Sequence, residues 1–350
     1  MSFWRGRKVL LTGHTGFKGS WMRLWLHELG AEVTGFALAP DTQPNLSVLF
    51  ADGTRATIGD IRDAGLVARV VTAADPNIVI HMAAQALVRE SYRDPLGTYG
   101  TNVMGTANLL QACRRLEGLA AVLVVTSDKV YENDGEGRAF GETDRLGGHD
   151  PYSNSKACTE LVTASFRDSF FRAGPPLATA RAGNVIGGGD WSADRLIPDC
   201  VRALAGGAAV NLRHPSAVRP WQHVLEPLSG YLALAEALVR TPESTPAAVN
   251  FGPDPASFRT VSAVVESFST CFGGRPGWTQ DAGDHPPEAP ALTLSSQLAA
   301  EALGWRPRLG IEESVAWTAD WYRAHAAGEN MFTYSQRQLA QYRLLSRPAP

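Results

Sequence analysis

Cysteine is scarce in this sequence. There are four in 350 residues (Cys113, Cys158, Cys200, Cys271), far apart and with no C-x-x-C pair. That spacing argues against a disulfide framework and against a zinc-ligand set, so no metal is expected. Positive charge is not in excess either: 32 basic residues stand against 35 acidic ones, for a formal net charge of -3. With no dense Lys/Arg run, neither an overall field nor a local patch is present to hold nucleic acid. No segment approaches the ~18 uninterrupted apolar residues of a membrane helix. The opening Met-Ser-Phe-Trp-Arg-Gly-Arg-Lys lacks the apolar core of a secretion signal. Internal repeats and low-complexity tracts are absent. What remains is 44% hydrophobic and 19% charged, the profile of a reduced, soluble, cytoplasmic protein of about two domains.

Short apolar runs alternate with longer stretches of helical periodicity, the pattern of a parallel sheet covered by helices. Lys8–Thr12 reads as a first buried strand, followed by a glycine-punctuated turn and a helix from about Gly19 to Leu29 that Gly30 stops. Further strands are expected at 31–36, 56–58, 77–81, 121–126 and 178–182, with helices at about 99–115 and 152–171. Beyond Gly183 glycine and proline become frequent and the elements look shorter, until a helix at about 227–238 and a late strand at 247–251. The Gly-, Pro- and Asp-rich stretch 275–290 reads as loop, and the Pro-rich end after Arg347 as a mobile tail.

The first strand runs into Thr12-Gly13-His14-Thr15-Gly16-Phe17-Lys18-Gly19. Glycines at this spacing let the backbone turn sharply and approach a pyrophosphate, while the next helix presents free N–H groups and the positive end of its dipole. A tight turn without a ligand would use the same residues. The context decides for a dinucleotide: strand before, helix after, at the start of a βαβ unit. Gly13, Thr15, Gly16, Phe17, Lys18 and Gly19 are therefore candidate cofactor contacts. The second strand offers no acid before Asp41 for ribose hydroxyls and no arginine for a 2′-phosphate. NAD and NADP both stay open there. Asp60, after the third strand, suits either an adenine contact or a helix N-cap.

Tyr152 and Lys156 stand four apart at the start of a helix, hence on one face, after a fifth strand that ends in Thr126-Ser127. A phenol, with a pKa of about 10, is a poor base at neutral pH. A nearby ammonium and an oxidised nicotinamide ring both favour the phenolate, and Ser127 can bond the same substrate hydroxyl. This is acid–base chemistry coupled to hydride transfer. His81, alone at the end of the fourth strand, reads as a packed structural residue. Trp21 and Trp25, four apart on the first helix, read as core. Trp191 and Trp221 are candidates for lining a sugar or base pocket.

The glycine turn with Tyr152-x-x-x-Lys156 resembles the extended short-chain dehydrogenase/reductase superfamily, whose members act mainly on nucleotide sugars. Within it the chain is similar to the CDP-glucose 4,6-dehydratase family. The likeness is carried by 13–21, His81-Met82-Ala83-Ala84-Gln85, Thr126-Ser127-Asp128-Lys129-Val130-Tyr131, 181–191 and Arg219-Pro220-Trp221-Gln222-His223-Val224. It extends from about Phe3 to the 338–342 region, nearly the whole chain. The resemblance implies a doubly wound parallel Rossmann sheet with a smaller mixed α/β substrate lobe: 1–182 completed by roughly 220–252, then 183–219 with 253–335, and a tail at 336–350. It implies NAD as cofactor, with Ile61, Ala83 and Ala84 added to its contacts. Asn184, Arg219, Gln85 and, more weakly, Arg195 fall on the substrate side, where an amide and a guanidinium fork suit a diphosphate. A homo-oligomer, dimer or tetramer, is implied as well, along with a place in deoxysugar formation for surface glycans such as lipopolysaccharide.

Asp128-Lys129 has its own reading. Related 4,6-dehydratases have an Asp-Glu pair here, and the CDP-glucose branch has Asp-Lys. A surface ion pair is the competing role. In the catalytic one, the catalytic set is Ser127, Asp128, Lys129, Tyr152 and Lys156. Lys129 removes a C5 proton and Asp128 protonates the departing C6 oxygen, so a carboxyl donates and an amine accepts. Only a dry site, which disfavours both charges, makes that possible.

Overall fold

A computed structural model describes residues 2–50, 53–133, 135–274, 277–283 and 292–345. Seven strands form one parallel sheet: β1 (Lys8–Thr12), β2 (Glu32–Ala37), β3 (Arg55–Ile58), β4 (Ile78–His81), β5 (Ala121–Val125), β6 (Leu177–Arg181) and β7 (Ala248–Asn250). Their order, β7-β6-β5-β4-β1-β2-β3, reverses direction between β1 and β4. Such a reversal opens a crevice at the carboxyl ends of the strands, where α/β sheets bind ligands. Val9, Leu10, Leu11, Ile78, Val79, Ile80 and all of β5 are buried, as a sheet covered on both faces requires.

The helices start and stop where local chemistry dictates. α1 (Phe17–Glu28) begins directly behind Gly16, two residues before the expected start, and ends before Gly30, whose φ is +80°. α2 is Ala64–Ala74, and its N-cap is Asp63, whose carboxylate accepts from the Leu66 N–H. The N-cap alternative for Asp60 is thereby withdrawn. The expected helix 99–115 begins earlier, as Pro95–Tyr99, passes through a π turn at Gly100–Met104 and continues as α3 (Gly105–Cys113). α4 (Pro151–Phe170) has Pro151 at its first turn and Asp150 as N-cap, accepting from the Ser153 N–H at 2.9 Å. Tyr152 is thus held at the mouth of the helix.

The second half is more regular than its composition suggests. α5 (Leu196–Ala205), α6 (Leu225–Arg240), α7 (Val261–Phe272), α8 (Ile311–Ala326) and α9 (Met331–Leu344) are joined by short strand pairs. Within the expected loop 275–290, the described residues 277–283 contain the strand Trp278–Gln280, paired with Val210–Leu212; 275–276 and 284–290 lie outside the described residues, as does the expected tail after Arg347. The tail expected from 336 is corrected by α9. Met331, Ser335, Leu339 and Tyr342 bury one helical face, and the Tyr342 hydroxyl donates to Glu226 at 2.9 Å. Trp321 of α8 is fully buried over Gly188, where a Cβ would lie 1.9 Å from its ring. Burying a large apolar side chain of this kind contributes roughly 1.5–3 kcal/mol. Among the described residues no helix is long and apolar enough to cross a membrane.

Candidate active site

The glycine turn lies in the crevice between β1 and β4. Gly13 has φ +76°, and a Cβ there would stand 2.7 Å from the Ala83 nitrogen, so the turn and the loop after β4 touch through bare backbone. A Cβ at Gly19 would meet the Gly13 carbonyl oxygen at 2.0 Å. Gly16 caps α1 without a side chain, and no acid occupies the first turn. The leading N–H groups of α1 therefore face the cradle, which fits a dinucleotide pyrophosphate.

The other cofactor candidates divide. Thr15 ties the turn to the end of β2 by donating to the Leu38 carbonyl at 3.0 Å. Phe17, partly buried, packs toward Gly187, and Ile61 is buried against Gly105. The Ala83 N–H donates to Thr12 at 3.1 Å, and Ala84 follows it, partly exposed, in the same loop. Asp60 is gripped by the Arg62 guanidinium at 2.6–3.1 Å, which holds its carboxyl below the usual range. The Lys18 ammonium donates to the Tyr231 hydroxyl at 3.0 Å. Burial, with help from Arg195 and Lys156 and against Asp128, lowers its pKa to about 7.

At the end of β5 the chain enters a 3-10 turn, Asp128–Val130, capped by Ser127, whose hydroxyl accepts from the Lys129 N–H at 3.2 Å and donates to one Asp128 oxygen at 3.0 Å. The other Asp128 oxygen is buried and has no hydrogen-bond partner. Burial pushes the Asp128 pKa up, against the pull of Lys129, the Ser127 hydrogen bond, Arg219 and Lys18. Asp128 is buried, so a surface ion pair does not describe it. Gly183 makes the room: a Cβ there would lie 1.7 Å from that unpartnered oxygen. Sequence reasoning did not single out Gly183, and no local signal would have.

Tyr152 and Lys156 are both buried on the face of α4 that meets β5. The Lys156 ammonium donates to the Val125 carbonyl at 3.3 Å. Burial lowers its pKa to about 8, while Glu160, one turn further on, supports its charge. The Tyr152 phenol is not brought down by its surroundings as expected. Burial raises its pKa, outweighing the lowering by Ser127 and Arg195, and Asp128 and Asp150 push the same way as burial.

On the substrate side, Arg219 is buried and within electrostatic reach of Asp128, and Arg195 caps α5 facing Tyr152 and Lys18. Asn184 is partly exposed beside them, its backbone oxygen accepting from Gln222. Gln85 does not join this group. Its amide donates to the Leu87 carbonyl and to Thr98, and accepts from the Leu87 N–H at 2.5 Å, so it braces its own loop. His81 bridges Thr12 and Thr106, buried, with its pKa lowered by burial to about 3. Trp21 and Trp25 are core. Trp221 is buried, with its indole on the Arg259 carbonyl, and Trp191, partly exposed, packs edge-on against Tyr322.

The family model "NAD dependent epimerase/dehydratase family" matches residues 9–252. A "CDP-glucose 4,6-dehydratase" of Salmonella typhimurium is 45% identical over 349 residues, 97% of each chain. A "dTDP-glucose 4,6-dehydratase" of Streptomyces antibioticus is 31% identical, covering 91% of this chain and 93% of its own. Among solved structures, the dTDP-glucose 4,6-dehydratase DesIV double mutant of Streptomyces venezuelae, with NAD and DAU bound, superposes with a TM-score of 0.80 at 25% identity, over 93% of this chain and 99% of the other.

Proposed function

Since the chain belongs to the NAD dependent epimerase/dehydratase family, we propose that it converts CDP-glucose to CDP-4-keto-6-deoxyglucose with loss of water and NAD as its cofactor. The observation that carries this reading is the buried Asp128 carboxyl with one unpartnered oxygen, next to Lys129 in the turn that also carries Ser127. An enzyme acting at C4 alone has no use for a second acid–base couple. A dehydratase needs one at C5 and C6.

Tyr152 takes the proton of the C4 hydroxyl, and Ser127 hydrogen-bonds the same oxygen. Held at the glycine turn of Gly13, Gly16 and Gly19, NAD would supply the hydride acceptor for C4 and the donor for C6, and the positive charge of its oxidised ring would favour the Tyr152 phenolate. Lys156 adds a second cation from one turn along α4. The C4 ketone acidifies C5–H, which Lys129 removes. Asp128, whose pKa burial pushes up, protonates the C6 oxygen as it leaves as water. Lys129 then returns the proton to C5. Net redox is zero, so substrate and product differ by one water. Arg219, Arg195 and Asn184 hold the diphosphate.

Pure protein incubated with NAD and CDP-glucose, without added reductant, tests this. The recovered sugar should lack its 6-hydroxyl, and kcat/KM should be higher for CDP-glucose than for the UDP and dTDP sugars. An intact 6-hydroxyl refutes dehydration, and a preference for dTDP-glucose refutes the cytidine assignment.

The enzyme works in the cytoplasm, feeding deoxysugar formation for surface glycans, as a homodimer. The pairing face is formed by α4 and the Pro95–Met104 segment packed beside it, where Leu96, Met104 and Leu161 are 83%, 57% and 59% exposed. Large apolar side chains exposed on neighbouring elements suit a second copy. Leu161→Asp should sediment as a monomer where the parent protein sediments as a dimer. A monomeric parent contradicts the assembly.

A further inference from the structure

The two halves of the chemistry sit on different elements. Oxidation at C4 depends on α4, through Tyr152 and Lys156, and elimination depends on the turn after β5, through Asp128 and Lys129. One buried ion pair touches both. Glu160 lies on α4, four residues beyond Lys156 and hence on the same face. Its carboxylate pairs with Arg181 of β6 at 2.8 Å, both side chains only 4% exposed. Immediately before the turn, the Thr126 hydroxyl donates to Glu160 at 2.5 Å. Immediately after it, the Tyr131 hydroxyl accepts from Arg181 at 2.8 Å and donates to Asn250 of β7 at 2.7 Å. Thr179 donates to the second Glu160 oxygen at 2.7 Å. Both ends of the acid–base turn are therefore fastened to a single ion pair, which is also rooted in the helix that carries the oxidising pair.

Burying two charges costs desolvation that their attraction seldom exceeds, and a well-packed apolar pair of equal volume often stabilises more. A stability role alone explains such a pair poorly. Its oxygens and nitrogens are instead distributed between the two catalytic elements. We propose that Glu160 and Arg181 are positioning residues for the reaction, a clamp that sets Asp128 and Lys129 in register with Tyr152 and Lys156. The proposal rests on the dehydratase reading, since only a reaction with two acid–base stations needs them registered. Glu160 also supports the charge of Lys156, so the same group serves the first station directly.

Replacing Glu160 or Arg181 outright risks the fold, so the test uses Thr126→Val and Tyr131→Phe, which cut one fastening each and leave the ion pair in place. A small misplacement of reacting groups costs about 100-fold, and each variant should lose about 10- to 100-fold in kcat with little change in KM. In rapid mixing of the NAD-loaded enzyme with CDP-glucose, the rise in reduced-nicotinamide absorbance should keep its wild-type rate. Its decay should slow in step with kcat, because elimination is the step misaligned. Loss of kcat without that accumulation, or slowing of both phases together, overturns the clamp; so does wild-type kcat in both variants. Wild-type enzyme run alongside separates the two claims: its failure to dehydrate CDP-glucose removes the parent reading, whereas normal wild-type turnover with unaltered variants removes the clamp alone.

Discussion

Tyr152→Phe is expected to lower kcat by about a thousandfold, within the range of a lost general acid–base group, while NAD affinity stays near that of the parent. The substitution removes one oxygen and leaves the ring that fills this buried position. Beside it, Ser127 bonds Asp128 and the Lys129 N–H, and the Lys156 ammonium lies on the Val125 carbonyl. Because burial holds the phenol above its ordinary pKa, the charge that arrives with the oxidised cofactor must offset that burial, and proton transfer from the C4 hydroxyl is steeply sensitive to losing the phenol. Steady-state turnover beside a cofactor titration checks both halves. Substantial remaining activity would remove Tyr152 from the scheme.

The second large effect belongs to Asp128. Asp128→Asn keeps the shape of the side chain but takes away the acid, and kcat for dehydration should fall by roughly 100- to 10,000-fold. C4 oxidation should survive, because Tyr152 and Lys156 are untouched, so sugar bound to the variant should become a C4 ketone that retains its 6-hydroxyl. Gly183→Ala approaches the same group from the opposite wall. Its Cβ would fall 1.7 Å from the unpartnered carboxylate oxygen, which must turn aside, and elimination should again fail while oxidation persists. Mass analysis of the enzyme-bound sugar distinguishes these states. Dehydrated product at the parent rate from either variant would show that Asp128 is not the acid.

Sequence reasoning succeeded for several local signals. The run Lys8–Thr12, the glycines behind it, and the four-residue step from Tyr152 to Lys156 each fix geometry within a turn or a strand, and the structure places them as expected. The long-range partners were not legible. Lys18 reads as part of a phosphate turn, yet its amine is bonded to Tyr231, 213 residues away. Gln85 lies in a segment whose resemblance suggests substrate contact, but its amide is consumed by Leu87 and Thr98. Which donors an amide satisfies depends on the loop's path, and spacing does not encode that. Asp60 looked suited to cap the next helix, but Asp63 does so and Arg62 takes Asp60. Glu160 did carry a signal: it continues the four-residue step of Tyr152 and Lys156 along one face of α4. The C-terminal helix was hidden by its polar content, since its buried face contains Ser335 and Gln338 as well as Leu339 and Tyr342.

The central claim is an electron pair removed at one carbon and restored at another within a single closed site. CDP-glucose deuterated at C4 measures this most directly. Incubated with the enzyme and unlabelled NAD, it should give CDP-4-keto-6-deoxyglucose with deuterium on C6 of the same molecule, even when unlabelled substrate is mixed in. Deuterium lost to solvent, retained at C4, or scrambled between molecules would contradict the account.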